Sequence, residues 1–208
     1  ATTFAQSGGT FTGTGAMAFA DFTQTAGTTN AGGDFTVTNT YAQTNPGIIN
    51  VGGNASITNA VGPLVMGNLS ATGNLSLTSL AGPITQLAGS ALIAYGTTSA
   101  TATQGGVPTG ITLSNAGNDL RGLVTVSGAN VAVATSGNLA IAGTAVNLTT
   151  LSGGATSFGT TTLTGGLSTT SVGDITQTGA ITTGAPSSLT SSTGDIILTH
   201  PGNSFSGA

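Results

Sequence analysis

Short stretches of alternating apolar and polar residues run through the whole chain. In Val131-Ala132-Val133 and Ile111-Thr112-Leu113 every second side chain belongs to the same set, which is the period of a strand with one buried face. Gly, Asn, Asp, Ser or Pro bounds each stretch, and these residues favour turns. The pattern predicts an all-β chain made of many short strands.

A motif of Gly, then Asn or Asp, then alternating apolar residues recurs, with a sequence spacing that is mostly close to 20. Its copies begin at Gly33, Gly53, Gly73, Gly137, Gly173 and Gly194. With longer units in the middle, the chain holds about ten such units. One unit cannot bury its apolar face alone, whereas stacked units share a continuous core. We therefore expect residues 1–208 to form one β-solenoid domain with one coil per unit.

Stacking in register predicts columns of equivalent residues, so Leu75 and Leu77 should lie against Ala55 and Ile57. The predicted core ladder is Phe35, Val37, Ile57, Leu75, Leu77, Leu139, Ile141, Ile175, Ile196 and Leu198. The predicted corners are Gly33-Asp34, Gly53-Asn54, Gly73-Asn74, Gly137-Asn138, Gly173-Asp174 and Gly194-Asp195. We expect each corner Gly to supply a positive φ, and each Asn or Asp side chain to bond its own turn.

A longer period is superimposed on the coils. Residues 111–122 resemble residues 196–207 at an offset of 85, which is about four coils. A new long unit therefore starts near residue 196. We expect the chain to be an internal block of a longer array.

Composition narrows the range of functions. Only 3% of the residues are charged, as five Asp and one Arg, and Lys, Glu, Cys and Trp are absent. Binding of nucleic acid needs several cations on one face, so we exclude it as a partner. At the same time 38% of the residues are apolar, which is enough for a folded core.

One stretch resembles a known family. Residues Ser114–Leu151, and above all Asn-Asp-Leu-x-Gly-x-Val-x-Val at 118–126, resemble repeats of filamentous-haemagglutinin-type exoproteins of two-partner secretion systems and related large autotransporter-like adhesins. The resemblance implies a right-handed parallel β-helix in the stalk of a secreted or cell-surface rod, exported by an outer-membrane partner transporter. It implies a role in cell adhesion and virulence, with other domains contacting host or bacterial cells. The family's secretion motif is Asn-Pro-Asn, from which Asn45-Pro46-Gly47 departs.

The candidate chemistry is sparse. Asp174 and Asp195 should occupy one corner of adjacent coils, roughly 5 Å apart, which would suit a shared Ca²⁺. Asn occupies the same corner elsewhere, which favours a structural role. Asp119 and Arg121 should form a surface ion pair, and His200 should be a turn residue. Enzymes built on solenoids need several converging acids or bases, so we expect no catalytic activity and no cofactor.

We expect a rigid stalk or adhesin segment with weak contacts to glycans or neighbouring cells. One alternative is a self-assembling β-fibre, since exposed terminal strands favour end-to-end association. Another is an ice-binding solenoid, which would need outward Thr at one phase on many coils. Across Thr36, Ser56, Ser76, Ala140, Thr176 and Ile197 the stripe is not uniform. Glycosylation sequons occur at Asn54, Asn68, Asn74 and Asn147, and a leucine-rich repeat is disfavoured because the units lack a helical half.

Overall fold

The structure is a computed structural model that describes residues 2–44 and 46–206. Asn45, of the Asn45-Pro46-Gly47 stretch, and Gly207, of the long repeat, lie outside the described residues. The strands in chain order are β1 Thr3–Gly13, β2 Met17–Ala31, β3 Phe35–Gln43, β4 Ile48–Val51, β5 Ala55–Asn59, β6 Leu64–Met66, β7 Asn68–Ala71, β8 Leu75–Ser79, β9 Ile84–Gln86, β10 Leu92–Ala94, β11 Thr98–Gln104, β12 Val107–Pro108, β13 Ile111–Leu113, β14 Asp119–Leu120, β15 Leu123–Ser127, β16 Asn130–Thr135, β17 Leu139–Ala145, β18 Asn147–Ser152, β19 Thr156–Leu163, β20 Leu167–Ser171, β21 Ile175–Gln177, β22 Ile181–Thr183, β23 Ser188–Ser191 and β24 Ser204–Phe205. No helix occurs in these two ranges.

The strands wind into a β-solenoid of about ten turns, as the sequence predicts. Each turn lays strands on faces that we name by their content. The hydroxyl face holds the start of β3, then β5, β8, β11, β15, β17, β19 and β21. The groove face holds the end of β2, then β4, β7, β10 and β14. The third face holds β6, β9, β13, β16, β18, β20 and β23.

Register along the faces follows the sequence motif. Leu75 pairs with Ala55, and Leu77 pairs with Ile57, which in turn pairs with Val37. These side chains are buried, together with Phe35, Leu139, Ile141 and Ile175. The apolar columns fuse into one core that extends from Met17 to Ile181, which explains how such short strands are stable.

Coil length varies more than the motif indicates. Leu123 pairs with Ala140, at a sequence offset of 17, whereas Thr98 pairs with Val124, at an offset of 26. The long coil contains a protruding hairpin in which β11 pairs antiparallel with β12. Gly105 and Gly106 turn this hairpin with positive φ, because a two-residue loop of this kind needs left-handed residues. The additional residues of this coil therefore form a hairpin outside the stack, and the neighbouring strands still pair in register.

The predicted position of Ile196 in the core ladder is wrong. Ile196 pairs with Ile175 only through an isolated bridge, and its side chain is 47% exposed. Leu198 is half-buried and packs against the core from outside. Both residues belong to the last described coil, which the stack covers on one side only, so their burial is incomplete.

Candidate functional site

The corner Asn and Asp side chains join successive coils rather than their own turns. Oδ1 of Asp34 accepts a hydrogen bond from the backbone N–H of Asn54 at 2.7 Å. Oδ1 of Asn54 accepts from the N–H of Asn74 at 2.9 Å, and Oδ1 of Asn74 accepts from the N–H of Thr97 at 2.8 Å. The expected bond to the residue's own turn is therefore wrong at these positions. The corner column is a hydrogen-bonded ladder that runs along the solenoid axis.

The corner glycines are also needed for a different reason than expected. None of Gly33, Gly53, Gly73, Gly137, Gly173 and Gly194 is among the glycines with positive φ. A Cβ on Gly53 would instead collide with Oδ1 of Asp34 and would lie 3.0 Å from the backbone N of Asp34. The same clash with an Asp or Asn oxygen recurs at Gly96, Gly154 and Gly194. At these corners Gly leaves room for the inter-coil bond, whereas a Cβ on Gly137 would have no such neighbour.

Asp174 and Asp195 follow this structural pattern. Oδ1 of Asp174 accepts a hydrogen bond from the N–H of Asp195 at 2.9 Å, as Asn does at the equivalent corners. Both residues are exposed. Within the described ranges, no three His, Cys, Asp or Glu side chains lie close enough to hold a metal ion together. The pair therefore supplies one structural bond, and a shared Ca²⁺ stays a prediction that a calcium titration tests.

Buried amides form a second ladder near the start of the solenoid. Nε2 of Gln24 donates to Oε1 of Gln6 at 3.0 Å, and Nε2 of Gln43 donates to Oε1 of Gln24 at 3.0 Å. The hydroxyl of Tyr41 donates to Oε1 of Gln43 at 2.5 Å. Burial raises the pKa of Tyr41 well above its usual range. Sequence reasoning missed these residues, because Gln in a strand gives no sign of facing inward.

Two further amide pairs occur in equivalent coils. Gln86 and Asn118 exchange hydrogen bonds at 2.7 and 3.0 Å, and Gln177 and Asn203 do so at 2.8 Å each way. In each pair Oδ1 of the Asn also accepts a backbone N–H, from Leu92 and Ile181 respectively. We call these pairs the amide clamps. The Ile-Thr-Gln stretches at 84–86 and 175–177, together with the offset of 85 between the two Asn residues, were the available sequence signal.

The ion pair between Asp119 and Arg121 forms as expected. Nε and Nη2 of Arg121 both lie 2.8 Å from Oδ2 of Asp119. This hydrogen bond raises the pKa of the Arg121 guanidinium. The guanidinium carbon also lies 4.0 Å from the centre of the Tyr95 ring, a cation–π contact that the sequence did not reveal. Tyr95 is 51% exposed.

Outward hydroxyls form two columns on the hydroxyl face. Pairing in register connects Thr36, Ser56, Ser76, Ser99 and Thr125 in one column, and Thr58, Thr78, Thr101 and Ser127 in the other. Oγ of Ser99 donates to Oγ of Ser76 at 3.2 Å. The stripe is uniform over these coils, whereas Ala140, which the sequence comparison set in the same stripe, pairs with Leu123 instead. The first column ends at Ala142, which pairs with Thr125, and the second continues from Ser127 to Thr144 and Thr162.

The remaining candidates are structural. Nδ1 of the exposed His200 accepts the N–H of Gly202 at 3.0 Å, so this residue supports a turn. The sequon residues Asn54, Asn74 and Asn147 all accept a backbone N–H from the next coil, as does Asn68. A glycan on these amides would have to be accommodated beside the inter-coil bonds.

The residues thus supply many neutral donors and acceptors and few ionisable groups. The described part of the chain contains no helix long and apolar enough to cross a membrane. The exposed surface of these ranges combines amide and hydroxyl groups with scattered apolar side chains such as Val61 and Val107. It also carries a charged and aromatic cluster made of Tyr95, Asp119 and Arg121. Such a surface can bind by hydrogen bonding and by ring contacts.

Comparison with known proteins adds a family. No curated protein matches the chain, and no solved structure matches it either. Residues 52–127 and 143–208, which are more than half of the chain, match a family of repeats of unknown function, DUF5649. Each matched segment contains one amide clamp, so the clamp belongs to the repeating unit. The chain is a member of this family of repeats.

Proposed function

We propose that this chain is a rigid, non-catalytic spacer in a bacterial surface or secreted exoprotein. The observation that supports the proposal most strongly is the continuous stack of parallel ladders from β1 to β24. Backbone bonds, corner bonds and one apolar core all run along the same axis. A rod built in this way resists bending and holds whatever is attached to it at a fixed distance.

The low charge of the chain fits this role. In a stack with a rise of about 4.8 Å, identical charges on successive coils would repel one another along the whole column. Thr, Ser and Asn avoid this repulsion and still bond water outside. A surface with so few acids and bases also offers little for catalysis.

Export and partners follow from the sequence resemblance of Ser114–Leu151. We place the chain outside the cell, secreted or on the cell surface, after transport by an outer-membrane partner pore. Contact with host or bacterial cells is assigned to other domains, and the self-assembling fibre stays an alternative for the isolated rod. The lack of Cys is compatible with secretion, because the stack needs no disulfide.

An in-phase deletion tests the spacer. Removal of residues 122–206 joins Arg121 to Gly207, keeps Asp119 and Arg121, and removes one long repeat of about four coils. The unmodified protein and the deletion variant are each produced in bacteria. Antibody against the chain should label intact cells in both cases. The number of bacteria that attach to target cells, per displayed protein molecule, should be the same for the two proteins. Loss of attachment at equal display would instead assign adhesion to these coils. Antibody labelling found only after permeabilisation would contradict the surface location.

Ice binding is a second candidate because of the hydroxyl columns. Two columns about 7 Å apart along the strand, with a rise of about 4.8 Å, form a flat array of hydroxyl and methyl groups. If the array binds ice, Thr78→Leu should reduce thermal hysteresis several-fold, whereas Thr149→Leu on the third face should not. An unchanged freezing point and normal ice recrystallisation for the unmodified protein would eliminate this candidate.

A further inference from the structure

A groove runs along the solenoid axis between the groove face and the following corner. One side is a column of outward residues paired in register, Asn30, Asn50 and Ser70. Nδ2 of Asn50 donates to Oδ1 of Asn30 at 2.9 Å, so this wall is an ordered amide row. Residues two positions later in each coil, Gly32, Gly52 and Thr72, lie beside it, and with residues 12–14 they line an open groove of about 370 Å³.

A column of small corner residues borders the groove. Gly52 donates its N–H to the carbonyl of Ala31, and Thr72 donates to that of Val51, so these residues form the column of the corner. A Cβ on Gly32 would collide with the carbonyl oxygen of Thr14, and a Cβ on Gly52 with that of Gly32, so the corner is narrow because the coils approach closely here. Gly32, Gly52 and Thr72 are all exposed. The groove is therefore open to a ligand that lies parallel to the rod.

The next residue of this column is Tyr95, whose N–H bonds the carbonyl of Ala71. Arg121 follows one coil later, bonded to the carbonyl of Ala94, and covers one face of the Tyr95 ring. The other face of the ring is turned away from Arg121. Ile93 continues the amide wall between Ser70 and Asp119. One coil beyond Thr72, the same corner column thus presents an exposed aromatic ring with the Asp119–Arg121 ion pair on one of its faces.

The chemistry of this groove fits one ligand class. Amide and hydroxyl groups bond hydroxyls, and an aromatic ring packs on the C–H face of a pyranose, since binding sites combine apolar contact with a few placed polar groups. Both N–H bonds of Arg121 go to Oδ2 of Asp119, which leaves Oδ1 of Asp119 to accept from a ligand. The pair is neutral overall, and the chain has a net charge of −4, so an acidic polymer is disfavoured.

We propose that this groove binds a linear neutral polysaccharide lying along the rod, with one sugar ring against Tyr95 and its hydroxyls bonded by Asp119 and the amide wall. The site deepens the proposed function, and rests on it only for access to extracellular glycans. Binding by the purified chain does not depend on where the protein is located in the cell, so the two proposals fail separately. A second copy of the chain is the competing occupant.

Calorimetry with purified protein tests the site, with laminarihexaose, mannohexaose and xylohexaose as neutral probes and hexagalacturonate as the acidic one. We expect at least one neutral probe to bind with a Kd of about 1 mM or tighter, and Tyr95→Ala to weaken that binding by about tenfold. Asp119→Asn and Arg121→Gln should weaken it several-fold. Val172→Ala is the matched control, because Val172 is an exposed residue that precedes the corner Gly173 as Tyr95 precedes Gly96.

Circular dichroism and melting temperature establish that each variant is folded. Since Tyr41 is buried and Tyr95 exposed, tyrosine fluorescence should respond to the sugar in Val172→Ala and not in Tyr95→Ala. Absence of binding by every neutral probe at 10 mM would overturn the proposal. Equal affinity of folded Tyr95→Ala, preference for hexagalacturonate, or self-association that Tyr95→Ala abolishes would also overturn it.

Discussion

At the residue scale, a Gly before Asn has two different roles that the sequence does not distinguish. Gly53 and Gly137 both precede Asn. A Cβ on Gly53 would collide with the Asp34 side chain of the coil before, whereas a Cβ on Gly137 would meet no atom within 4 Å. The difference comes from the neighbouring coil, which local sequence cannot reveal.

We predict that Gly53→Ala destabilises the protein by about 1–3 kcal/mol, because the added methyl group overpacks the corner. Gly137→Ala should be neutral or stabilise by up to about 1 kcal/mol, because it lowers the entropy of the unfolded chain. Urea unfolding followed by circular dichroism measures both. Equal free energies of unfolding for the two variants would show that the inter-coil contact does not determine the corner.

Tyr41 gives a prediction for pH. Burial raises its pKa in the folded protein, while an unfolded Tyr ionises near pH 10. The unfolded state therefore loses its proton first, so this stability is complete below about pH 10 and falls as the pH rises further. Tyr41→Phe should abolish most of this alkaline loss and cost about 0.5–1.5 kcal/mol at pH 7, since the bond to Gln43 is removed. An identical alkaline loss in Tyr41→Phe would contradict the assignment.

At the element scale, the amide clamps replace strand pairing where the chain turns. Asn118 is fully buried and donates to the carbonyls of Leu113 and Ala134 while it bonds Gln86. Here one side chain holds the turn between β13 and β14 to the coils on either side. Asn203 makes the equivalent bonds to Leu198 in its own turn and to Gln177 in the preceding coil, so the clamp recurs with the long repeat.

We predict that Asn118→Ala costs about 2–4 kcal/mol, because it leaves buried backbone groups without partners. Asn50→Ala, on the exposed amide wall, should change the free energy of unfolding by less than about 0.5 kcal/mol. Thermal unfolding monitored by circular dichroism compares the two. If both variants melt at the same temperature, the clamp is not the element that closes the turn.

At the scale of the whole molecule, the period predicted the fold and the register. Ala55 against Leu75 and Ile57 against Leu77 were expected from spacing alone, and the structure has both pairs. Spacing failed where coils change length, as in the long coil from Thr98 to Val124, because a hairpin can leave the stack. The same long coil displaces Thr125 from the 20-residue spacing of the hydroxyl column and separates Tyr95 from Arg121 by 26 residues. Spacing alone therefore predicted neither the column nor the contact between Tyr95 and Arg121.

In a rigid rod, the distance between equivalent residues increases by a fixed rise per coil. Pairing in register connects Ala18 to Thr36, and then through the hydroxyl column to Thr125 and Ala142. These outward positions are four to six coils apart. Because the chain has no Cys, two introduced Cys residues can be spin-labelled without further change.

Distances between two such spin labels, measured by double electron–electron resonance, test the rigidity of the spacer most directly. For Thr36/Thr125, Ala18/Thr125 and Ala18/Ala142, a rise of about 4.8 Å per coil predicts mean distances near 19, 24 and 29 Å. A rigid stack also predicts narrow distributions whose width does not grow with the number of coils. Distances that fail to increase in equal steps, or distributions that broaden with separation, would contradict a rigid stack of coils.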